Sequence, residues 1–222
     1  MSEGTNTVFF VPRTAIPYSR TVTYSQLVAS IRSHKTETHS VRVTIGGNRL
    51  EFPGNTTTKC ASLTTTKCLL NSIISTPRAR FLTLDFKTFY YNTPMARYEY
   101  MKISLDILTE EIIAQYNLCQ LASNRWVYLY IRKGMLGLKQ AIRIVNDRLQ
   151  IHLSKFVYSP VAQTPSLWKH DTKDTFFSLV GNDLGVKYVG KETTDHLIQA
   201  LQKLYTISNN WTGSLYFCLA LD

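Results

Sequence analysis

The chain has 222 residues, of which 44% are hydrophobic and 12% aromatic, so it can bury a core and does not have the composition of a disordered chain. Its 25 lysines and arginines outnumber its 15 aspartates and glutamates, which gives a formal net charge of +10. A positive field of this size favours a polyanionic partner, with nucleic acid ahead of a membrane surface.

No stretch approaches the roughly 20 consecutive apolar residues that a transmembrane helix needs, and the first residues lack the basic and apolar segments of a secretory signal. We therefore expect no membrane partner and an intracellular location, in the cytoplasm or the nucleus. The cysteines, Cys60, Cys68, Cys119 and Cys218, show neither zinc-ligand spacing nor a disulfide pattern, which favours buried thiols.

The first half of the chain mixes β-type and helical patterns. Residues 22–31 fit either a strand or a helix, whereas residues 41–52 alternate around Gly46-Gly47 and predict a β-hairpin. Residues 63–74 predict an amphipathic helix that ends before Pro77. The side chains predicted to share its apolar face are Leu63, Leu70, Ile73 and Ile74.

The middle of the chain begins with an apolar run, residues 80–85, which predicts a strand that ends in Asp85. Residues 109–116 predict a helix with Thr109 as its N-cap. Residues 126–131 form a continuous apolar strand pattern. Residues 140–156 predict a long helix whose apolar face is formed by Ile142, Val145, Leu149, Leu153 and Phe156.

The last part of the chain predicts a hairpin, a helix and a strand. Residues 175–180 and 184–189 are β-type runs joined by Gly181-Asn182-Asp183, a composition favoured in tight turns. Residues 194–205 predict a helix with Leu197, Leu201 and Leu204 inward, and residues 214–221 predict a strand. No Gly-, Ser- or Pro-rich linker divides the chain, so we expect one α+β unit.

Two apolar strands, about a hundred residues apart in sequence, each present an aspartate at a turn, Asp85 and Asp183. Phosphoryl transfer needs carboxylates on rigid elements, because they hold the metal ions that bridge substrate phosphates. An aspartate in such a place is also a common turn residue that hydrogen-bonds its own backbone. Spacing alone favours the turn, so the choice depends on the neighbouring motifs.

Those motifs occur in the order of one family. LDFKTFYYNTPM, residues 84–95, resembles the first catalytic motif of copia-type retrotransposon reverse transcriptases, and KGMLGLKQA, residues 133–141, resembles the second. FFSLVGNDLGVKYVG, residues 176–190, resembles the hairpin that normally carries two adjacent aspartates. ETHSVRVTIGGNRL, residues 37–50, and GSLYFCLALD, residues 213–222, extend the resemblance over nearly the whole chain.

The resemblance implies an α+β fold with a reverse-transcriptase-like palm, an antiparallel sheet packed on helices, and a fingers subdomain. The fingers would comprise residues 1–60 and 93–143, and the palm residues 61–92 and 144–222. It also implies an RNA-directed DNA polymerase that adds dNTPs to a primer on an RNA or DNA template, with two Mg²⁺ ions. The rest of a pol polyprotein would be a further partner if a longer version exists.

By the same resemblance, Asp85 binds metal and Phe86 offers its backbone carbonyl to the same ion. Tyr90 takes the position of the aromatic steric gate that excludes ribonucleotides. The alternatives for Tyr90 are a core aromatic, or a shifted register that assigns the gate to Tyr91. Asp183 would be the second metal-binding carboxylate.

Two further positions match family residues that contact the substrate. Gln140 would lie near the incoming nucleotide and the template, and Arg42 would bind the triphosphate through its paired donors. Each residue could also have a role without substrate contact, because a hairpin arginine is commonly solvated and a glutamine at a helix start is commonly a capping residue.

The sequence departs from the family at the metal hairpin, where Asn182 replaces the first aspartate. Asparagine keeps a carbonyl oxygen but loses the negative charge that a hard cation needs. In the second motif Lys139 and Ile142 replace the expected proline and glycine, and the chain stops at Asp222, before a thumb would be expected. We therefore expect a fragment with weak or absent activity, and the alternative is a basic nucleic-acid-binding relic without catalysis.

Overall fold

The computed structural model describes residues 4–31, 38–58 and 60–211, and it is an α+β protein. Contacts divide the chain into two compact units: unit 1 comprises residues 1–56 and 90–144, and unit 2 comprises residues 57–89 and 145–222. The absence of a linker had suggested one unit, but the chain crosses between these two compact units without any Gly- or Pro-rich segment. These boundaries lie close to those that the resemblance implies, while the names fingers and palm stay predictions.

The strands follow one another along the chain as β1 (Val8–Val11), β2 (Val22–Ile31), β3 (His39–Ile45), β4 (Arg80–Lys87), β5 (Pro94–Ser104), β6 (Trp126–Lys133), β7 (Tyr158–Pro160), β8 (Leu167–His170), β9 (Thr175–Val180), β10 (Asp183–Tyr188) and β11 (Thr206–Asn210). The α-helices are α1 (Leu63–Ser75), α2 (Glu110–Gln115), α3 (Leu118–Leu121), α4 (Ala141–Ser154) and α5 (Lys191–Gln202). In the described residues, no helix is long and apolar enough to cross a membrane.

Unit 1 is built on a five-stranded sheet in the order β1-β6-β5-β2-β3, in which β2 and β5 run parallel and the other neighbours antiparallel. Alternate residues of β5 and β6 point inward and form the core with the segments around Ile45 and Met135. The buried side chains of this core are Ile45, Leu50, Met95, Met101, Ile103, Leu118, Val127, Leu129, Ile131, Met135, Leu138 and Ala141.

The predicted hairpin over residues 41–52 is wrong. β3 pairs with β2, and the chain after it forms a short 3-10 helix, Gly47–Arg49. Gly46 has a φ of −71°, so it does not supply a left-handed turn. The two glycines instead permit close approach: a Cβ on Gly46 would lie 2.5 Å from the ring of Tyr24, and one on Gly47 2.0 Å from the carbonyl oxygen of Gly137.

Unit 2 contains a six-stranded sheet, in which every pair of neighbouring strands is antiparallel, in the order β11-β4-β10-β9-β8-β7. Helix α1 contacts β4, β9 and β10, and helix α5 contacts β10 and β11. The segments predicted for β4, β9 and β10 are confirmed, because each is a short apolar run bounded by turn residues. The most deeply buried side chains of unit 2 include Leu82, Leu84, Leu149, Leu153, Phe177, Leu184, Leu197 and Leu201.

The predicted helices are found close to their predicted positions, but the apolar faces predicted for α1 and α4 each include residues that are exposed. In α1, Leu63 and Ile74 are 47% and 87% exposed, whereas Thr66 and Leu69 are buried. Thr66 escaped the pattern because it is polar, yet its hydroxyl is satisfied by the carbonyl of Ser62. In α4, Ile142 is 41% exposed.

The N-cap prediction is confirmed, since Thr109 accepts a hydrogen bond from the backbone N–H of Ile112. The prediction of buried thiols is wrong for Cys60, Cys68 and Cys119, which are exposed. Cys68 lies in α1, where Thr66 and Leu69 take the buried positions and leave the thiol exposed. Cys218 and the predicted strand over residues 214–221 lie outside the described residues.

Candidate metal centre

The hairpin of β9 and β10 presents Asp183 at its tip. Val180 pairs with Asp183, so Gly181 and Asn182 alone form the turn. Gly181 has a φ of +62°, which places a residue without a Cβ at the turn position that requires the left-handed region. The turn sequence therefore fixes Asp183 as the first residue of β10.

Strand β4 brings Asp85 beside this tip, because Asp183 of β10 is the direct cross-strand partner of Asp85. Directly opposed residues of an antiparallel pair share one face of the sheet, with Cβ atoms about 4.5 to 5.5 Å apart. The next pair, Leu84 and Leu184, faces the other way and is buried. The alternation therefore places both carboxylates together, on the face opposite the leucine pair.

Asn182 is tied to Asp85 by its side chain and its backbone. Its Nδ2 donates a hydrogen bond to Asp85 Oδ1 over 2.6 Å, and its carbonyl accepts the backbone N–H of Phe86 over 3.1 Å. Position 182 is therefore a direct neighbour of the first carboxylate.

Phe86 anchors the end of β4 in the core. Its side chain is 2% exposed and stacks on Phe89, with ring centroids 4.4 Å apart and an interplanar angle of 5°. The ring of Tyr205 lies 4.9 Å from that of Phe86. This aromatic cluster fixes the backbone on which Asp85 is carried, while metal binding by the Phe86 carbonyl stays a prediction.

A third strand completes the row across the sheet. Ser208 of β11 pairs with Asp85 on the side away from Asp183, so the order is Ser208, Asp85, Asp183. Ser208 is exposed and adds a hydroxyl beside the two carboxylates. The sequence Thr206–Asn210, TISNN, has little apolar content, so periodicity gave no strand there and this neighbour was missed.

The residues of the row suit a hard cation in part. Two partly exposed carboxylates and the carbonyl oxygen of Asn182 are oxygen donors of the kind that Mg²⁺ prefers, and one or two protein carboxylates suffice where phosphates supply other ligands. Within residues 4–31, 38–58 and 60–211, no cluster of three or more acidic, histidine or cysteine side chains could hold a metal. The two Mg²⁺ ions that the resemblance implies stay a prediction.

Arg42, Tyr90 and Tyr91 belong to unit 1. Arg42 is exposed on β3, and its guanidinium lies near enough to Tyr91 to act on it. Burial raises the pKa of Tyr91, and Arg42 opposes this rise. Tyr90 and Tyr91 are both partly buried against the core of unit 1, so the packing is compatible with a core aromatic at either position.

Gln140 is buried, and its side chain contacts a charged network that the sequence analysis missed. Its Nε2 donates to Glu99 Oε1 over 3.4 Å, and Glu99 Oε2 accepts from Arg20 Nη2 over 2.9 Å. Glu99 is 2% exposed. The available signal was alternation in β5, where Glu99 shares the inward register of Met95, Met101 and Ile103.

Neither the models of known protein families nor the curated proteins give a match to this chain.

Proposed function

We propose that the chain is a reverse transcriptase domain of the copia-type retrotransposon class whose nucleotidyl-transfer site is impaired. The observation that carries the proposal is the cross-strand pair of Asp85 and Asp183, at the tip of a two-residue hairpin. It is supported by the order of the motifs, since residues 84–95 and 176–190 are the two segments that the resemblance assigns to metal binding. The fingers, palm and dNTP-binding roles belong to this proposal.

In the proposed reaction, Asp85 and Asp183 would hold Mg²⁺ through their carboxylates, with the Phe86 carbonyl as a further ligand. When bound, Mg²⁺ neutralises phosphate charge and activates a primer hydroxyl for attack on the dNTP. The protein's own contribution is positional: β4 and β10 are adjacent, hydrogen-bonded strands, so the two carboxylates keep a fixed separation. A fixed separation avoids reorganisation when charge develops on the phosphate.

Asn182 is the reason to expect impairment. A carboxylate at this position would add a negative charge beside Asp85, whereas the amide instead donates a hydrogen bond to Asp85 Oδ1 over 2.6 Å. Metal stabilisation of a phosphoryl-transfer transition state amounts to several kcal/mol, so losing most of it slows the reaction by about 10³-fold or more. We therefore expect the unaltered chain to retain only residual activity.

The direct test is primer extension on a poly-A template by the chain and by Asn182→Asp. We expect the substitution to raise the Mg²⁺-dependent rate by about 10²-fold or more, because it restores the missing charge. The matched control is Asn209→Asp, which adds the same charge on β11 but pairs with Leu84 and so lies on the opposite face of the sheet. Asp85→Ala should abolish any signal.

Two results would overturn the proposal in different ways. Robust synthesis by the unaltered chain, abolished by Asp85→Ala, would remove the claim of impairment but keep the polymerase. No gain from Asn182→Asp, together with no Mg²⁺-dependent nucleotide binding by either variant, would remove the nucleotidyl-transfer site itself.

A non-catalytic nucleic-acid-binding role is the second candidate, favoured by the formal net charge of +10. The hydrogen bond from Asn182 also satisfies Asp85 without a cation. This role predicts that template-primer binding, followed by fluorescence anisotropy, weakens steeply and linearly with log salt concentration and ignores Mg²⁺ at constant ionic strength. Asp85→Ala should leave that binding intact, in contrast to its effect on synthesis.

A further inference from the structure

Unit 2 contains a cavity between helix α1 and the sheet, away from the hairpin tip. The cavity has a volume of about 410 Å³. Its lining includes Cys68, Leu69, Ser72, Leu167, Phe176 and Lys187, and we refer to it as the α1 pocket. This volume is at the lower end of the range typical of small-molecule sites.

Among the described lining residues, Lys187 is the charged one. It is 9% exposed, its Nζ donates to Thr76 Oγ1 over 2.8 Å, and the ammonium lies 5.7 Å from the centroid of the Phe176 ring. An ammonium has three donors, and Thr76 accepts from one of them. Across the described part of the chain, no carboxylate forms an ion pair with Lys187.

The environment of Lys187 is costly for a cation. Burying a charge is unfavourable unless an opposite charge and hydrogen bonds compensate, and one hydroxyl with one aromatic face compensates only in part. An anion that enters the α1 pocket would supply the missing counterion and accept from the remaining donors. The leucine and phenylalanine side chains of the lining would contact an apolar body attached to that anion.

We propose that the α1 pocket binds a small monoanion with an apolar body, of the class of medium-chain monocarboxylates. A single ammonium matches one carboxylate, and among the described lining residues there is no second cationic side chain to balance a dianion. The site differs from the candidate metal centre in charge and in ligand. It stands independently of the proposed nucleotidyl transfer.

The first test compares octanoate with octanol by isothermal titration calorimetry on the full chain. We expect octanoate to bind, and octanol to bind about tenfold more weakly or worse, because a charge-assisted hydrogen bond contributes more than a neutral one. Lys187→Met keeps the length of the side chain and removes its charge. It should weaken octanoate binding about tenfold or more and leave octanol unchanged.

The second test locates the ligand and does not depend on the folding of Lys187→Met. Cys68 lines the α1 pocket and is exposed, whereas Cys60 and Cys119 are exposed but do not line it. Octanoate should slow alkylation of Cys68 by a maleimide, measured by peptide mass spectrometry, while Cys60 and Cys119 react at unchanged rates. Equal affinity for octanoate and octanol, or equal protection of all three thiols, would overturn the proposal.

Discussion

Asn182 donates its side-chain amide to Asp85 Oδ1 across 2.6 Å, so the Asp85 carboxylate is contacted by a neutral hydrogen-bond donor and not by an opposite charge. Because the side chain at position 182 contacts Asp85, its charge should decide whether bound cations change the stability of the chain. We predict that Asn182→Asp lowers the free energy of unfolding by about 1 to 2 kcal/mol without Mg²⁺, because two carboxylates then face each other at short range.

Millimolar MgCl₂ should recover that loss in Asn182→Asp and change the unaltered chain little, as measured by thermal unfolding. NaCl at matched ionic strength is the control, because screening alone recovers only part of a short-range repulsion. A variant as stable as the unaltered chain in the absence of Mg²⁺ would mean that the two side chains do not meet.

The pair of Glu99 and Arg20 gives a second prediction. Glu99 is 2% exposed and its partner 17%, so removing the acid leaves a guanidinium in a poorly solvated place. We predict that Glu99→Gln destabilises the chain by about 3 kcal/mol or more in urea unfolding. Asp106→Asn is the matched control, because the Asp106 and Arg125 side chains are 52% and 75% exposed. This substitution should change the free energy of unfolding by about 0.5 kcal/mol or less.

A third prediction concerns the close approach of two backbones in unit 1. Gly137 has a φ of +98°, and a Cβ there would lie 2.1 Å from the carbonyl oxygen of Ile45. Gly137→Ala should therefore cost about 3 kcal/mol or more, the sum of the unfavourable φ and a steric clash with backbone. Gly181→Ala separates the two effects, because Gly181 has a φ of +62° with nothing within 4 Å of a Cβ, and should cost about 1 kcal/mol.

A fourth prediction follows from two histidines in unit 2. Burial lowers the pKa of His170 below its ordinary value of 6.5, and His196 and Lys173 lower it further. Burial also lowers the pKa of His196, with Lys173 and Lys203 acting in the same direction. Nδ1 of His170 accepts the backbone N–H groups of Thr172 and Lys173, each over 3.1 Å, an arrangement that requires an unprotonated Nδ1.

The unfolded chain therefore binds protons more readily at these sites than the folded chain does. The contribution of the two neutral histidines to the free energy of unfolding is fully present above the unfolded pKa of 6.5. It falls as the pH drops through that value toward the lower folded pKa. His170→Asn, whose side-chain oxygen can accept the same N–H groups, should make this acid-side decline shallower in urea unfolding at a series of pH values. An identical decline in the variant would exclude His170 as a cause.

Local patterns were sufficient for the elements that carry the candidate site. β4 and the hairpin of β9 and β10 are short apolar runs with turn residues at their ends, so both alternation and turn composition predict them. The pairing of Asp85 with Asp183 required the motif order as well, because no local rule connects residues 98 positions apart. That pairing agrees with the expectation, and the catalytic roles stay predictions.

Non-local packing decided the features that sequence reasoning missed. Strand β3 pairs with β2, and the segment after it packs Gly47 against Gly137, a contact that no pattern near Gly47 reveals. Glu99 is buried because a cation from a distant segment, Arg20, compensates it. Strand β11 is defined by its pairing with the edge of β4, and its polar composition, TISNN, does not predict a strand.

The two-residue turn of Gly181 and Asn182 gives this hairpin an all-or-none dependence on its length. Successive side chains of a strand point to opposite faces, so an extra residue that enters β10 while the turn stays at two residues would reverse the face of every residue of β10. Asp183 would then point toward the apolar interior, while Leu184 and Val186 would move to the face of the carboxylates. A single inserted codon could therefore erase the site more completely than replacement of either acid.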